Sequence, residues 1–492
     1  MIQIIVQVSK YILLALMVFF TIETYMVLRN RSQRARDRIM GKQIFLLVVF
    51  NIVAYLVMFL KSADVTMLVL CGGVILYIVI MEIIYHLLYK RASMILLNTM
   101  CMLLSVGFII QARLGIDYAL KQLMIVAISS VIALFIPVFI QKVRIVRDLT
   151  WLYGIMGILL LGAVFLFSAV SRGANLSLTI GGISFQFSEF VKILIVFFMA
   201  GMLQDNPNFK KVLVVTVVAA LEVGLLVLSR DLGAALIYFV AYIVMVTVAT
   251  HKIRYAFLGL AGMAGASAAA YKLFSHIRVR VDVWRDPFAD YQGTGYQIVQ
   301  ALFGVCAGGW FGTGLFCGSP DMIPLAIEDF TFAAICEELG ILFGICLILL
   351  CMGLYLLIVN MAMRLGKPFY KLIAIGLGTE YAFQVFLTIG GTTKFIPMTG
   401  ITLPLVSYGG SSVMCTIIMI AIVQGLYILR KDEDEQFEED QRRRLREKNR
   451  QFEDERRREE QRQFTEEYEQ SGQQTLDDIG QNIEKRADEI LW

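Results

Sequence analysis

RNRSQRARDRIMGK, residues 29–42, decides how this chain is threaded. It separates two apolar runs, Tyr11–Leu28 and Ile44–Leu60. Each run approaches the ~20 residues that a helix needs to cross ~30 Å of hydrocarbon. Short loops dense in arginine and lysine stay in the cytoplasm. The stretch therefore marks the inner face, and Met1 is expected outside. No basic segment precedes the first run, so a cleaved signal peptide is not expected.

Similar runs recur along most of the chain. They are Met67–Leu88, Met94–Ile110, Leu123–Ile140, Leu152–Val170, Phe190–Leu203, Val212–Leu228, Gly233–Ala249, Tyr255–Phe274, Phe330–Val359, Leu372–Ile389 and Val413–Leu429. With the first two, about thirteen spans are predicted. Alternating sides from the arginine stretch puts YKRAS, QKVRIVRD and HKIR inside. It puts RGANLSLTIGGISFQFSE, SRDLG, WRDPFADYQGTGYQ and GGTTKFIPMTGITLPLVSYGGSS outside. Hydrophobic residues make up 58% of the 492, whereas a soluble domain usually holds about 45–50%. The expected fold is all-α, a multi-pass integral protein of the cell membrane with an extracellular N-terminus and a cytoplasmic C-terminus.

The net charge of +4 is spread over loops and a tail and makes no case for a nucleic-acid partner. The eight cysteines lie mostly inside apolar runs, as Cys71, Cys101, Cys346 and Cys415 do, with no metal-ligand spacing. They read as small core residues, a Cys306–Cys317 pair being the weaker alternative. From Arg430 the chain becomes nearly all charged or glutamine. Acid precedes base by four residues in Glu438/Arg442, Glu439/Arg443 and Asp440/Arg444, which supports an exposed helix. Contact of Arg442–Arg450 with anionic lipid, or partner docking, is the alternative to a merely solvated tail.

An ionisable group in a membrane segment costs ~2.5–3.5 kcal/mol at a helix centre and asks for a reason. Glu189 and Lys192 stand three apart in QFSEFVK, with a helix-stabilising ion pair as the plain reading. Asp231 follows Arg230 in SRDLG, Glu337 and Glu338 enter the Phe330–Val359 run, and Lys394 leads into IPMTGITLPLVSYGGSS. WRDPFADYQGTGYQ, residues 284–297, adds Asp286 and Asp290, with Arg278 and Arg280 just upstream. All of these fall near the outer face, where they predict one shared polar cavity.

These stretches carry a resemblance. FQFSEFVK, RDLGAAL, DPFADYQGTGYQIVQALFG, GGWFGTGL, EDFTFAAICEELG and IPMTGITLPLVSYGGSS are similar to the motifs of the SEDS family (shape, elongation, division and sporulation), of the FtsW/RodA/SpoVE type. The resemblance covers residues 94–429, a ten-span core with a large extracellular loop at 275–329. Residues 1–93 then form three extra N-terminal spans, and 430–492 a charged cytoplasmic tail. The chain departs from the family pattern at Phe187, Arg230, Ile327, Glu328 and Thr388, and lacks a tryptophan in RGANLSL.

The resemblance implies a peptidoglycan glycosyltransferase that polymerises lipid II, an undecaprenyl-pyrophosphate-linked disaccharide-pentapeptide. It also implies a class B penicillin-binding transpeptidase as partner. The family's essential aspartate maps onto Asp290, and Glu189, Lys192, Asp231 and Ser407 map onto polar positions of its cavity and last motif. In such a reaction the acceptor hydroxyl attacks an anomeric carbon, and a carboxylate that takes its proton contributes roughly 10²–10⁴-fold. One displacement inverts the α-linked donor into a β-linked product. Arg278, Arg280, Lys192 and Lys394 are candidates to stabilise charge on the departing pyrophosphate. Asp290 could instead hold a divalent cation, magnesium or manganese; no other cofactor is implied. The rival readings are a flippase of the same lipid-linked precursor and a structural recruiter of the transpeptidase. Division, elongation and sporulation remain equally open roles.

Overall fold

The computed structural model describes every residue except 1, 30–32, 142–143, 168–177, 181–182, 206 and 491–492. Met1, Trp492 and the RGANLSL departure thus fall outside the described residues. The chain divides into two compact units, Met1–Arg430 and Lys431–Trp492.

The first unit is a helical bundle. Its helices are α1 (Ile2–Arg29), α2 (Gln33–Ser62), α3 (Thr66–Leu88), α4 (Met94–Leu114), α5 (Ile116–Gln141), α6 (Arg144–Asp148) and α7 (Thr150–Phe167). There follow α8 (Ser188–Leu203), α9 (Phe209–Leu228), α10 (Leu232–Thr250), α11 (Arg254–Leu273), α12 (Ser275–Arg285) and α13 (Tyr296–Gly308). Last come α14 (Thr331–Leu339), α15 (Ile341–Ala362), α16 (Pro368–Thr392) and α17 (Gly410–Ile490), the last running on into the second unit. Between α7 and α8 a short antiparallel hairpin pairs β1 (Leu178–Ile180) with β2 (Ile183–Phe185). The apolar pattern around it gave no sign of strands.

Among the described residues eleven helices are long and apolar enough to cross a membrane, or twelve if α11 and α12 form one broken span. This count does not confirm the thirteen expected. α8 has 16 residues, about 24 Å at 1.5 Å per residue, short of the hydrocarbon thickness. The Tyr255–Phe274 run bends by 104° into α12. The Phe330–Val359 run breaks at Gly340, whose φ of 92° ends α14 and starts α15.

Local chemistry sets the ends that matter. Asn208 caps α9 by accepting from the Lys211 amide at 3.1 Å. Asp231 caps α10 by accepting from the Ala234 amide, also at 3.1 Å. Pro368 opens α16 where no amide hydrogen is needed. α4 is buried along nearly its whole length and packs on α2 and α5. Polar pairs staple the bundle: Asn51 Nδ2 donates to Ser105 Oγ at 2.9 Å and Gln43 Nε2 to Thr24 Oγ1 at 3.0 Å. Such pairs replace the hydrophobic drive that lipid cannot supply between helices. Outward-facing Phe135, Leu159 and Leu166 are exposed, as a lipid-facing surface requires.

The second unit is an exposed helical segment. An i,i+4 pair of the expected kind forms between Arg456 and Glu460 at 3.2 Å. The side chain of Glu438 is not described, so its pair with Arg442 lies outside what the structure shows.

Candidate functional site

The first turn of α8 puts Glu189 and Lys192 on one face, where the Lys192 ammonium forms a close ion pair with the Glu189 carboxylate. Lys192 is 4% exposed. It also donates to Gln384 Oε1 of α16 at 3.0 Å. Gln384 Nε2 in turn reaches the Thr402 carbonyl at 3.1 Å and Ser412 Oγ at 3.4 Å. One lysine thereby links α8, α16 and the IPMTGITLPLVSYGGSS segment.

Asp231 stands beside this pair. Its Oδ1 caps α10, while Oδ2 accepts from Ser188 Oγ at 2.9 Å and Gln186 Nε2 at 3.3 Å. Ser411 Oγ accepts from the Gln186 amide at 3.0 Å, and Tyr238 donates to the Ser188 carbonyl at 2.6 Å. Glu189, Lys192 and Asp231 thus line one small recess.

α12 lies against the segment that precedes the Ser-Tyr-Gly-Gly motif. Arg280 Nη1 donates to the carbonyls of Met398 and Thr399 at 3.1 and 2.8 Å. Trp284 Nε1 donates to the Lys394 carbonyl at 3.2 Å, and Lys394 Nζ to the Arg285 carbonyl at 3.3 Å. Arg278 is exposed, and its side chain makes no hydrogen bond among the described residues.

Asp290 lies in the open turn between α12 and α13. Its Oδ2 accepts from both the amide and the hydroxyl of Thr294, each at 2.8 Å. These bonds to the ionised form hold the carboxyl below its ordinary range. The cause is the pair of Thr294 bonds. A Cβ on Gly293 would lie 2.4 Å from Asp290 Oδ2, and one on Gly295 would lie 2.0 Å from the Pro287 carbonyl. The two glycines therefore let the turn close under the carboxylate. Asp286 accepts from the Phe288 amide at 3.0 Å and shapes the turn.

The predicted residues accordingly form separate groups. Among the described residues no hydrogen bond or ion pair joins Asp290 to Lys192, Arg278, Arg280 or Lys394. Ser407 is fully buried, with its hydroxyl accepting from the Leu403 amide and donating to Thr331 Oγ1, both at 3.0 Å. It shapes the turn and does not face the recess. Among the described residues no three His, Cys, Asp or Glu side chains converge where they could hold a metal ion. The donor set around Asp290 does not fit a preformed divalent site.

Gln186, Ser188, Gln384 and Ser412 are functional-looking residues that motif reading passed over, because uncharged polar groups give no signal against an apolar background. Glu222 and Glu380 did give one. Each is a single carboxylate inside an apolar run, fully buried, with both oxygens lacking a hydrogen-bond partner. Arg113, at the end of α4, pairs with Glu338 at 2.7 Å and Asp321 at 3.1 Å.

The model of the "Cell cycle protein" family, FtsW/RodA/SpoVE, matches residues 85–431. The chain belongs to this family. Every residue of the recess and of the Asp290 turn falls inside the match. Among relatives, "Peptidoglycan glycosyltransferase RodA" of Mycobacterium tuberculosis (strain ATCC 25618 / H37Rv) is 36% identical over 308 residues, 58% of this chain and 65% of that protein. The chain thus spans just under two thirds of the mycobacterial relative's length. "Stage V sporulation protein E" of Bacillus subtilis (strain 168) is 31% identical over 62% of this chain and 86% of its own length. A solved structure described as "Structural coordination of polymerization and crosslinking by a peptidoglycan synthase complex" matches with TM-score 0.59 and 25% identity, over 69% of this chain and 98% of that one. Rod shape determining protein RodA of Thermus thermophilus shares the fold at TM-score 0.52 and 22% identity, over 70% of this chain and 98% of its own. Membership of the family together with the apolar helices makes this a multi-pass membrane protein.

Proposed function

We propose that the chain is a peptidoglycan glycosyltransferase that polymerises lipid II, with Asp290 as the general base. The observation that carries the reading is the Asp290 turn. An exposed carboxylate is kept ionised by two hydrogen bonds and projects from a loop closed by two glycines, in a family whose relatives bear the name peptidoglycan glycosyltransferase. The base takes the proton of the acceptor sugar hydroxyl as the oxygen attacks the anomeric carbon and the lipid pyrophosphate departs. Inversion follows from the single displacement. Arg278, whose guanidinium is free toward solvent, is placed to meet the pyrophosphate charge. Lys192 and Arg280 are engaged by protein groups, so they shape the recess and hold the Met398–Thr399 backbone, and Lys394 anchors the end of α12.

The reaction is assigned to the outer membrane face. In support, the N-terminal end of α1 contacts the large loop directly through Lys10 and Gly312 at 2.9 Å, so both lie on one side of the bundle. The arginine-dense stretch at the other end of α1 marks the inside. On this reading residues 94–429 form the catalytic core, 1–93 an added three-helix segment and 430–492 a cytoplasmic tail. A class B penicillin-binding transpeptidase is the expected partner, since the matched synthase complex joins polymerization to crosslinking.

A flippase is the second reading, favoured by one observation. Glu222 and Glu380 sit deep in the bundle without hydrogen-bond partners, as a translocation path would have them. Purified full-length protein given labelled lipid II decides between the two. Glycan strands from the wild type and none from Asp290→Asn support the polymerase; wild-type protein that moves lipid II across vesicles without polymerising it supports the flippase.

A further inference from the structure

The helix α1 precedes the family match, yet it reaches into the large loop that carries Asp290. The turn from Gly309 to Gly314 has two sides. On one side it is bonded to the break between α14 and α15. Thr313 and Gly314 donate their amides to the carbonyls of Glu337 and Glu338 at 3.0 and 2.9 Å, and the Ile341 amide donates to the Gly309 carbonyl at 2.9 Å. On the other side its carbonyls are taken by α1. Lys10 Nζ donates to the Gly312 carbonyl at 2.9 Å and Gln7 Nε2 to the Thr313 carbonyl at 3.1 Å. The Tyr11 and Phe311 rings pack with centroids 5.3 Å apart.

The turn is also the C-terminal stop of α13. The Gly312 amide donates to the Gly308 carbonyl at 2.8 Å, so whatever fixes Gly312 fixes the end of that helix. At the opposite end of α13 the Asp290 carbonyl accepts from the amides of Gly293 and Gly295, at 3.2 and 3.1 Å. α13 has 13 residues, about 20 Å of helix at 1.5 Å per residue. A helix held at one end presents whatever is bonded to its other end in one place. An amide-bonded turn gripped from a single side keeps the freedom to rock about that side.

We propose that α1 is a built-in strut for the extracellular loop and that Lys10 and Gln7 are positioning residues for Asp290. They act through the Gly312–Thr313 carbonyls and α13, and neither touches substrate. The role in catalysis rests on the polymerase reading above; the strut itself does not.

The test uses the full-length protein in lipid nanodiscs and the double variant Gln7→Ala/Lys10→Met. Two readouts are taken: hydrogen exchange over residues 296–314, and lipid II polymerisation resolved into kcat and KM. Exchange in the turn and in α13 is expected to rise roughly three- to tenfold, the factor that one or two modest hydrogen bonds carry. kcat is expected to fall by a similar factor with KM little changed, and Gln7→Ala with Lys10→Arg to restore most of both. Tyr25→Phe is the control, because it removes a 2.9 Å bond from the same helix to the Leu349 carbonyl at a distance from the turn. It should leave both readouts alone. If it reproduces the double variant, general docking of α1 and not the two polar grips is responsible, and the proposal falls. Unchanged exchange in α13 also overturns it, as does faster exchange with kcat unaltered. Should wild-type protein polymerise nothing, the polymerase reading fails by itself, and exchange alone decides whether the strut exists.

Discussion

Replacing Lys192 by methionine keeps the apolar stem and removes the ammonium from the recess. The Lys192 and Glu189 side chains are 6% and 12% exposed, so water can replace little of what is lost. Glu189 is left a buried carboxylate without its cation, and Gln384 Oε1 loses the donor at 3.0 Å. Removing one member of a buried pair usually costs ~3–5 kcal/mol. Glu189→Gln should cost somewhat less, since the longer Lys192 side chain keeps Gln384 as acceptor. The double variant Glu189→Gln/Lys192→Met should be more stable than the sum of the single losses implies, with a coupling of at least ~1.5 kcal/mol. Unfolding of the four proteins by SDS in mixed micelles reads this cycle directly, and polymerisation by each single variant should fall strongly while the protein stays in the membrane. A loss below ~1 kcal/mol for Lys192→Met is what a solvated surface pair gives. That result would mean the recess does not exclude water and that the ion pair is merely a helix contact.

Asp290→Asn keeps an oxygen able to accept from Thr294, so the turn should persist while polymerisation drops by about 10²–10⁴-fold. Asp286→Asn should keep a substantial share of activity, and the reverse order in a labelled lipid II assay would mean that the roles are exchanged. The Thr294 bonds favour the ionised Asp290 carboxyl, so Thr294→Val should raise its pKa toward the ordinary range. The base then picks up its proton at higher pH. The acid limb of kcat/KM should move upward, with the plateau near neutral pH little altered; an acid limb that stays put would show that Thr294 does not tune the base. Single cysteines at Gln3 and Gln470, on a background without other reactive thiols, should be modified by an impermeant reagent from outside at the first and not at the second. The opposite pattern would put Asp290 on the wrong side of the membrane.

The helices were legible because their signal is additive: twenty apolar residues outweigh any single exception, and arginine in the loops orients the whole series. Their number was less so, since a run of apolar residues does not report a bend. Phe330–Val359 reads as one span until Gly340 adopts a backbone that interrupts it, and α8, at 16 residues, falls just under the length of an unambiguous span. The pairing of Glu189 with Lys192 was visible from a spacing of three, and the kinship of Asp231 from its motif. What no spacing shows is contact between distant segments. Lys192 finds its second acceptor 192 residues away in Gln384, and Lys10 finds its acceptor 302 residues away in Gly312. Ser407 misled for the same reason in reverse. A serine in a polar motif looks available, but its hydroxyl is consumed by Leu403 and Thr331 in a buried turn. Glu222 and Glu380 teach the opposite lesson. Their cost in an apolar helix was readable from the sequence alone, and their burial without hydrogen-bond partners in the fold means that cost has not been relieved by any protein donor. Glutamine at either position breaks no hydrogen bond seen in the structure, so it should fold and polymerise nearly as well as the wild type. Loss of activity in Glu380→Gln with the fold intact would instead show that the proton, and not merely the shape, is used.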